Sequence, residues 1–420
     1  MAIRTRSTVD SLVEKDRVRR AVYTDPSIFS LEMERIYLGS WISLGHESEV
    51  PEPGDFKTDE IAGRPILVTR HNDGTVHVLL NACRHRGATV CEIASGNAPA
   101  FKCPYHGWTY RSNGELAIVP SQEAFGPDFD RNEYGLRPLP RVATYRGFIF
   151  ASFNPDVPEL EEHLGRAAQY IDAFVDRAPA GKIQVRKPLK TEYAGNWKLQ
   201  IDNFADGYHP PFTHPAVFGG PTERASRAPT NGTEASRRGG GTRSFGRGHS
   251  FSDLGRFRAS NRFPEELSLH PSYVSALTDR FGPERARELA LADTYLLIYP
   301  NLYLQTLLSH FRLVKPQAVD RTHVYGYPCD LVGAPDVLND ELARVTMAWT
   351  SPGGEVQVDD MEAFSRVQRG LRADPQEWVL FTMDQNEHVN EYGEVEGGGM
   401  GDSRARGSFR EWARLMAEPS

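Results

Sequence analysis

At 420 residues the chain exceeds what one hydrophobic core usually organises, so two domains are expected. With 39% hydrophobic and 25% charged residues and no run of about 18 apolar residues, it reads as a soluble globular protein that no helix carries through a membrane. Forty-eight basic against 56 acidic side chains leave a net charge of -8, which argues against a nucleic-acid or anionic-membrane partner.

The basic N-terminus MAIRTRSTVDSLVEKDRVRR contains Asp10, Glu14 and Asp16 and no apolar stretch, so no signal peptide is read there. Apolar residues at helical spacing (Leu12, Val13, Val18, Val22, Phe29, Met33, Ile36, Tyr37) predict helix over residues 11–38, with TDPSIF as a start signal. From Trp41 to about Phe153, short alternating segments such as PILVTR, VHVLLNA and GFIFASF, parted by turns such as HNDG and RSNG, predict a small all-β domain. After DVPELEEHLG the pattern is helical again. From Tyr295, YLLIYPNLYLQTLLSHFRLV and HVYGYPCDLV read as strands before a helical C-terminus, which makes the remainder α+β. Residues 219–258, rich in Gly, Ser and Arg, read as a mobile loop.

Within the β-domain, residues 81–110 read NACRHRGATVCEIASGNAPAFKCPYHGWTY. Cys83-Arg-His85 and, 17 residues on, Cys103-Pro-Tyr-His106 place a cysteine and a histidine on each of two loops that can face each other. Tetrahedral zinc takes the same donors, but zinc modules usually pair like with like, two cysteines and then two histidines. One thiolate and one imidazole per loop suit a Rieske [2Fe–2S] centre, with Cys83 and Cys103 on one iron and His85 and His106 on the other. Neutral imidazoles in place of two thiolates raise the reduction potential. Gly87 and Gly107 are expected to bring backbone N–H groups toward the sulfides. Cys91 has no partner in the pattern and reads as a buried, inert thiol; with Cys329 it completes a set of four cysteines, too few for a disulfide scaffold and suited to a reducing cytoplasm.

Farther on, residues 196–214 read NWKLQIDNFADGYHPPFTH. On a continuous helix Asp202, Asp206 and His209 share a face with Asn203 beside them, and the helix is expected to end near Pro210-Pro211 so that His214 curls back beside His209. Two histidines need one carboxylate to form the facial triad that leaves positions open on non-haem iron(II). SPGGEVQVDDMEAFSRVQRG offers Asp359 and Asp360 at the start of an amphipathic helix, where an aspartate also serves simply as a cap.

Taken together these residues resemble the large (α) subunits of the Rieske non-haem iron ring-hydroxylating oxygenases. The resemblance spans nearly the whole chain: W-x4-H-x-S-E-V-P from Trp41, C-R-H-R-G, C-P-Y-H-G-W, N-W-K-x3-D-N-x2-D-G-Y-H-x4-H, and the DDMEAFSRVQRG helix. It implies an N-terminal helical part of the catalytic domain at 1–40, a Rieske domain at 41–155, and a helix-grip α+β catalytic domain with an antiparallel sheet at 156–420. It implies His209, His214 and Asp360 as mononuclear iron ligands, with Asp359 the fallback, and Asn203 as a catalytic neighbour. Asp206 matches the aspartate that bridges to a histidine ligand of the neighbouring subunit's cluster. Asp202 stands where many relatives have glutamate.

The same resemblance implies a homotrimer or an α3β3 assembly with a small subunit, and electrons from NADH passed by a reductase, directly or through a ferredoxin. The expected reaction is hydroxylation, one or both oxygen atoms of O2 entering an aromatic compound. The alternatives are a Rieske monooxygenase removing O- or N-methyl groups, an electron-transfer protein lacking the second iron, and a zinc-stabilised binding module. Phe204, Phe212, Val217, Phe218 and the strand around Leu302 to Leu308 are expected to build the pocket. Arg312, in the apolar run LLSHFRLV, either pairs a substrate carboxylate or points to solvent.

Overall fold

Residues 37–160 turn their alternating pattern into ten short strands in three antiparallel sheets. The computed structural model describes residue 9 and residues 11–218, 241–253, 268–383, 385–398 and 401–417, and its chain divides into this unit and a second formed by Met1–Ile36 with Glu161–Ser420.

In the first unit, Asp55–Ile61, Arg64–Arg70 and Val76–Leu80 form the centre of a four-stranded sheet, and Ala100–Lys102, Thr109–Arg111 and Leu116–Ile118 form a three-stranded one. Phe56, Leu67, Leu79, Phe101, Trp108 and Tyr110 share one apolar cluster, and Cys83 and Cys103 belong to it. Burying these cysteines in the core fixes the roots of both cysteine-histidine loops on strands.

The second unit is α+β. Ten of its described strands form one antiparallel sheet, in which Arg321–Leu331, His310–Ala318, Leu302–Gln305 and Thr294–Ile298 are successive neighbours. The expected long strand from Tyr295 is thus three strands. The expected loop at 219–258 falls largely outside the described residues, but Thr242–Ser244 and Ser250–Asp253 within it are paired strands.

The helix expected over 11–38 is only partly formed. Arg17–Arg19 is a strand paired with Trp378–Leu380, and helix begins at Ala21–Thr24 and continues as Pro26–Glu32, whose N-cap Asp25 accepts from Ser27 N. Val13 and Val18 bridge each other in extended backbone. Two apolar residues a few positions apart fit either period, and here pairing with a strand some 360 residues away decides for extended chain.

Glu32 is fully buried and accepts from three donors: Lys198 Nζ (2.5 Å), Trp197 Nε1 (2.9 Å) and Trp412 Nε1 (2.7 Å). Asn196 donates its backbone N–H to Gln368 Oε1 at 2.9 Å, and Gln368 donates in turn to Tyr23 O at 3.0 Å. The Asn-Trp-Lys triplet is therefore an anchor for the start of the Leu199–Ala205 helix, and it binds that start to the N-terminal segment, the Gln357–Leu371 helix and the Ser403–Ala417 helix. Glu32→Ala strands a buried ammonium, so the expected loss is about 3–5 kcal/mol, read as a lower midpoint in denaturant unfolding. A midpoint unchanged from wild type contradicts the anchor.

Candidate metal centres

The two cysteine-histidine loops fold as twins. In one, Gly87 N donates to Cys83 O (2.8 Å) and Cys83 N to Ala88 O (2.8 Å); in the other, Gly107 N donates to Cys103 O (3.1 Å) and Cys103 N to Trp108 O (2.8 Å). Gly87 and Gly107 take φ of 77° and 74°, a conformation that side chains oppose. Their own N–H groups close the loops onto the cysteine carbonyls. The backbone N–H groups that lower the Cys103 pKa by hydrogen bonding are those of Tyr105 and His106; burial outweighs them and holds the thiol up.

Both cysteines are buried, whereas His106 is exposed and its ring lies 4.5 Å from that of His85. Trp108 stacks on His85 at 5.1 Å. His85 Nδ1 is buried and, among the described residues, has no hydrogen-bond partner. Buried sulfurs beneath two adjacent imidazoles, one with an orphaned nitrogen, are a donor set that fits a two-iron cluster. Tyr110 was not foreseen: its hydroxyl lies 3.2 Å from Cys83 Sγ and accepts from Arg84 N at 3.0 Å, and burial, then the contact with Cys83, push its pKa up. Cys91 is half-buried, with Sγ 3.8 Å from Ile93 O, so the expected burial is not found.

The second cluster of donors comes from three elements. The helix expected to run through His209 stops at Ala205, because Asp206 takes extended backbone (φ -111°, ψ 120°) and turns its carboxylate onto Tyr208 N and, at 3.3 Å, onto His209 Nδ1. Pro210 and Pro211 begin a helix where they were expected to end one: Pro210–Thr213 is a single turn, with His209 as its N-cap and His214 as its C-cap. A proline at the first helical position lacks only an N–H that has no acceptor there.

His209 Nε2, His214 Nε2 and Asp360 Oδ1 converge from these ends. His214 Nε2 is 3.0 Å and His209 Nε2 3.8 Å from Asp360 Oδ1, and the donor atoms of the three residues all lie within 4.8 Å of one another. Asn203 Nδ2 donates to Asp360 Oδ1 (2.9 Å) and sits 3.1 Å from His209 Nε2. Asp359 lies behind, with Oδ2 3.4 Å from His214 Nδ1. The cap of the Gln357–Leu371 helix is Val356, which makes no side-chain bond, so neither aspartate caps it. Burial works against a charged His214, but Asp360 and then Asp359 outweigh it and hold its pKa above the usual value. Two imidazole nitrogens and one carboxylate, each imidazole backed by an aspartate at Nδ1, are a donor set that fits iron(II).

Around these donors, Asp202 is bonded by Tyr23 OH at 2.9 Å, and burial raises its pKa to about 8. Burial lowers Arg404 to about 10, opposed by the charge of Asp206. Arg404 lies some 200 residues beyond Asp206 in a helix with no motif of its own, and no sequence signal announced it. Phe204 packs on Tyr295 and Tyr303, and Val217 and residues 302–308 are buried, whereas Phe212 is exposed against Tyr208 and the side chain of Phe218 lies outside the described residues. Arg312 is turned inward and donates to His310 Nε2 at 3.1 Å.

A Rieske-type loop pair in one unit and a two-histidine, one-carboxylate cluster in an α+β unit define a two-centre oxygenase, and comparison with known proteins agrees. Residues 40–146 match the Rieske [2Fe-2S] domain and residues 180–411 the ring hydroxylating alpha subunit catalytic domain. The chain belongs to the ring-hydroxylating oxygenase α subunits, enzymes that use O2 to hydroxylate aromatic compounds. It is 36% identical to the toluate 1,2-dioxygenase α subunit of Pseudomonas putida, covering 86% of this chain and 82% of that one, and 32% identical to the biphenyl dioxygenase α subunit of Paraburkholderia xenovorans, covering 97% and 92%. A phenanthrene-bound naphthalene 1,2-dioxygenase variant superposes with a TM-score of 0.87 at 26% identity over 99% of this chain and 96% of that one. No described helix is long and apolar enough to cross a membrane.

If Cys83 holds a [2Fe–2S] cluster, removing the Tyr110 hydroxyl withdraws a hydrogen bond from its sulfur, and such bonds raise the potential. Tyr110→Phe is expected to keep the visible absorption of the cluster and to lower its reduction potential in a redox titration. An unchanged potential excludes this role.

Proposed function

We propose that Cys83, Cys103, His85 and His106 hold the [2Fe–2S] cluster and that His209, His214 and Asp360 hold iron(II), within a Rieske domain at 41–155 and a catalytic domain at 1–40 and 156–420. The convergence of His209 Nε2, His214 Nε2 and Asp360 Oδ1 carries the reading, and it favours Asp360 over Asp359. When bound, the iron supplies the activation of O2 at its open positions. The protein supplies orientation: Asp206 and Asp359 hold the two imidazoles by their Nδ1 atoms, Asn203 steadies the Asp360 carboxylate, and Phe204, Tyr295 and Tyr303 form an apolar wall that excludes water.

The electrons originate from NADH and arrive from a reductase, directly or through a ferredoxin. The working assembly is a trimer of this chain, alone or as α3β3 with a small subunit, in the cytoplasm. In it Asp206 bridges from His209 to His106 of a neighbouring copy. Two features support the bridge: His106 is exposed in its own unit, and the Asp206 side chain remains 27% accessible while bonded to His209.

Labelled dioxygen tests the reaction. The reduced, iron-loaded protein is expected to place label in an aromatic product, and His209→Ala or Asp360→Ala to abolish product while keeping the cluster absorption; label-free product, or zinc in place of about three irons per chain, contradicts the reading.

Asp206→Asn separates the bridge from simple support of His209. Support alone costs roughly 10- to 100-fold in metal affinity. The bridge instead predicts full metal content and a reducible cluster whose reoxidation by O2 plus substrate slows in rapid-mixing measurements, and wild-type reoxidation in the fully loaded variant rules it out.

A further inference from the structure

Arg312 stands on the His310–Ala318 strand, opposite Tyr303 on one neighbouring strand and Gly326 on the other. The residue is half-buried, while His310 and Tyr303 on the same face of the sheet are buried. Beside it, a Cβ built at Gly326 would meet nothing nearer than Leu189 O at 3.9 Å.

Among the described residues no carboxylate neutralises Arg312: its side chain donates to His310 Nε2, and none lies within ion-pair distance. Burial presses its pKa down, opposed by the charges of Asp360, Tyr295 and Tyr303, which places the guanidinium within electrostatic reach of the iron-binding carboxylate. A guanidinium stays charged in a protein, and an enclosed charge without a counter-ion is costly.

Two further polar groups share that face of the sheet. His310 is 1% exposed; since Nε2 accepts from Arg312, its proton sits on Nδ1, which has no partner among the described residues. Tyr303, also 1% exposed, has a hydroxyl equally without one. A fixed cation and two unsatisfied donors beside the aromatic wall of Phe204, Tyr295 and Tyr303 are complementary to a flat ring bearing an anionic group.

We propose that Arg312 recognises the carboxylate of the substrate and that the substrates of this oxygenase are aromatic acids of the benzoate type. This rests on the reading of His209, His214 and Asp360 as the iron site. The planar guanidinium fork matches a carboxylate in two parallel hydrogen bonds, and a neutral ring leaves the cation buried and unpaired. Arg312 is thus a specificity-determining residue, anchoring the end of the substrate away from the ring carbons presented to the iron site.

The test compares binding of benzoate and of its neutral isostere benzamide to the iron-loaded holoprotein by calorimetry. Wild type is expected to favour benzoate by at least about tenfold. In Arg312→Gln that ratio falls to near one, and Arg312→Lys, which keeps the charge but loses the fork, lies between. A wild-type ratio near one, or the wild-type ratio in an Arg312→Gln protein that keeps its cluster absorption and circular dichroism, overturns the proposal, and the wild-type comparison stands even if neither variant folds. Turnover with labelled O2 tells the two readings apart. Label entering biphenyl or toluene but no aromatic acid leaves the oxygenase intact and refutes the role of Arg312. An Arg312-dependent preference for benzoate, with label entering no aromatic at all, supports the anion site and refutes the oxygenase reading.

Discussion

The buried carboxylate of Glu32 is the constraint on which the catalytic unit depends. It gathers an ammonium and two indole N–H groups from Trp197, Lys198 and Trp412, so the helix carrying Asn203 can begin in one place only. A buried ion pair is weak evidence for stability, since desolvation offsets much of the attraction, but it is unforgiving of geometry. That intolerance is what a metal site requires: a displacement of about 1 Å in Asn203 or His209 would spoil the convergence on Asp360. Tyr23, held through Gln368 and bonded to Asp202, fixes the next turn of the same helix.

The two metal centres follow opposite building rules. The Rieske loops are nearly self-sufficient, each a cysteine-to-glycine turn closed by its own backbone bonds, and they need only the strands at their roots and the core under Cys83 and Cys103. The proposed iron site has no such local logic. Its histidines bracket a single helical turn and its carboxylate arrives from a helix some 150 residues later. Its supporting groups come from farther still: Tyr23 from the N-terminal segment, Arg404 from the C-terminal helix.

Charge is organised around that site with the same economy. Asp206 and Asp359 back the two imidazoles, burial raises the Asp202 pKa, and the charge of Asp206 opposes the lowering of Arg404 by burial. Four carboxyl groups crowd a small volume: burial favours the neutral form of one, one belongs to the proposed iron site, and two lie beside histidine Nδ1 atoms. Arg312, bonded to His310, has no carboxylate within ion-pair distance among the described residues, and that cation is the group proposed to meet the substrate.

By itself the sequence determined what depends on short spacing. Two Cys-His pairs within 24 residues specify a pair of twin loops, alternating segments specify a small β-domain, and an Asp-Asp pair at a helix start supplies a carboxylate on a rigid element. Spacing could not show that Asp206 breaks its helix, because helical offsets are equally satisfied by a continuous helix until the carboxylate finds Tyr208 N and His209 Nδ1. Nor could it choose between strand and helix at Arg17–Arg19, where the partner is Trp378–Leu380, or between pocket and solvent for Arg312, which depends on which face of the strand the sheet turns inward. Those outcomes are set by contacts between residues far apart in the chain, and local periodicity carries no information about such partners.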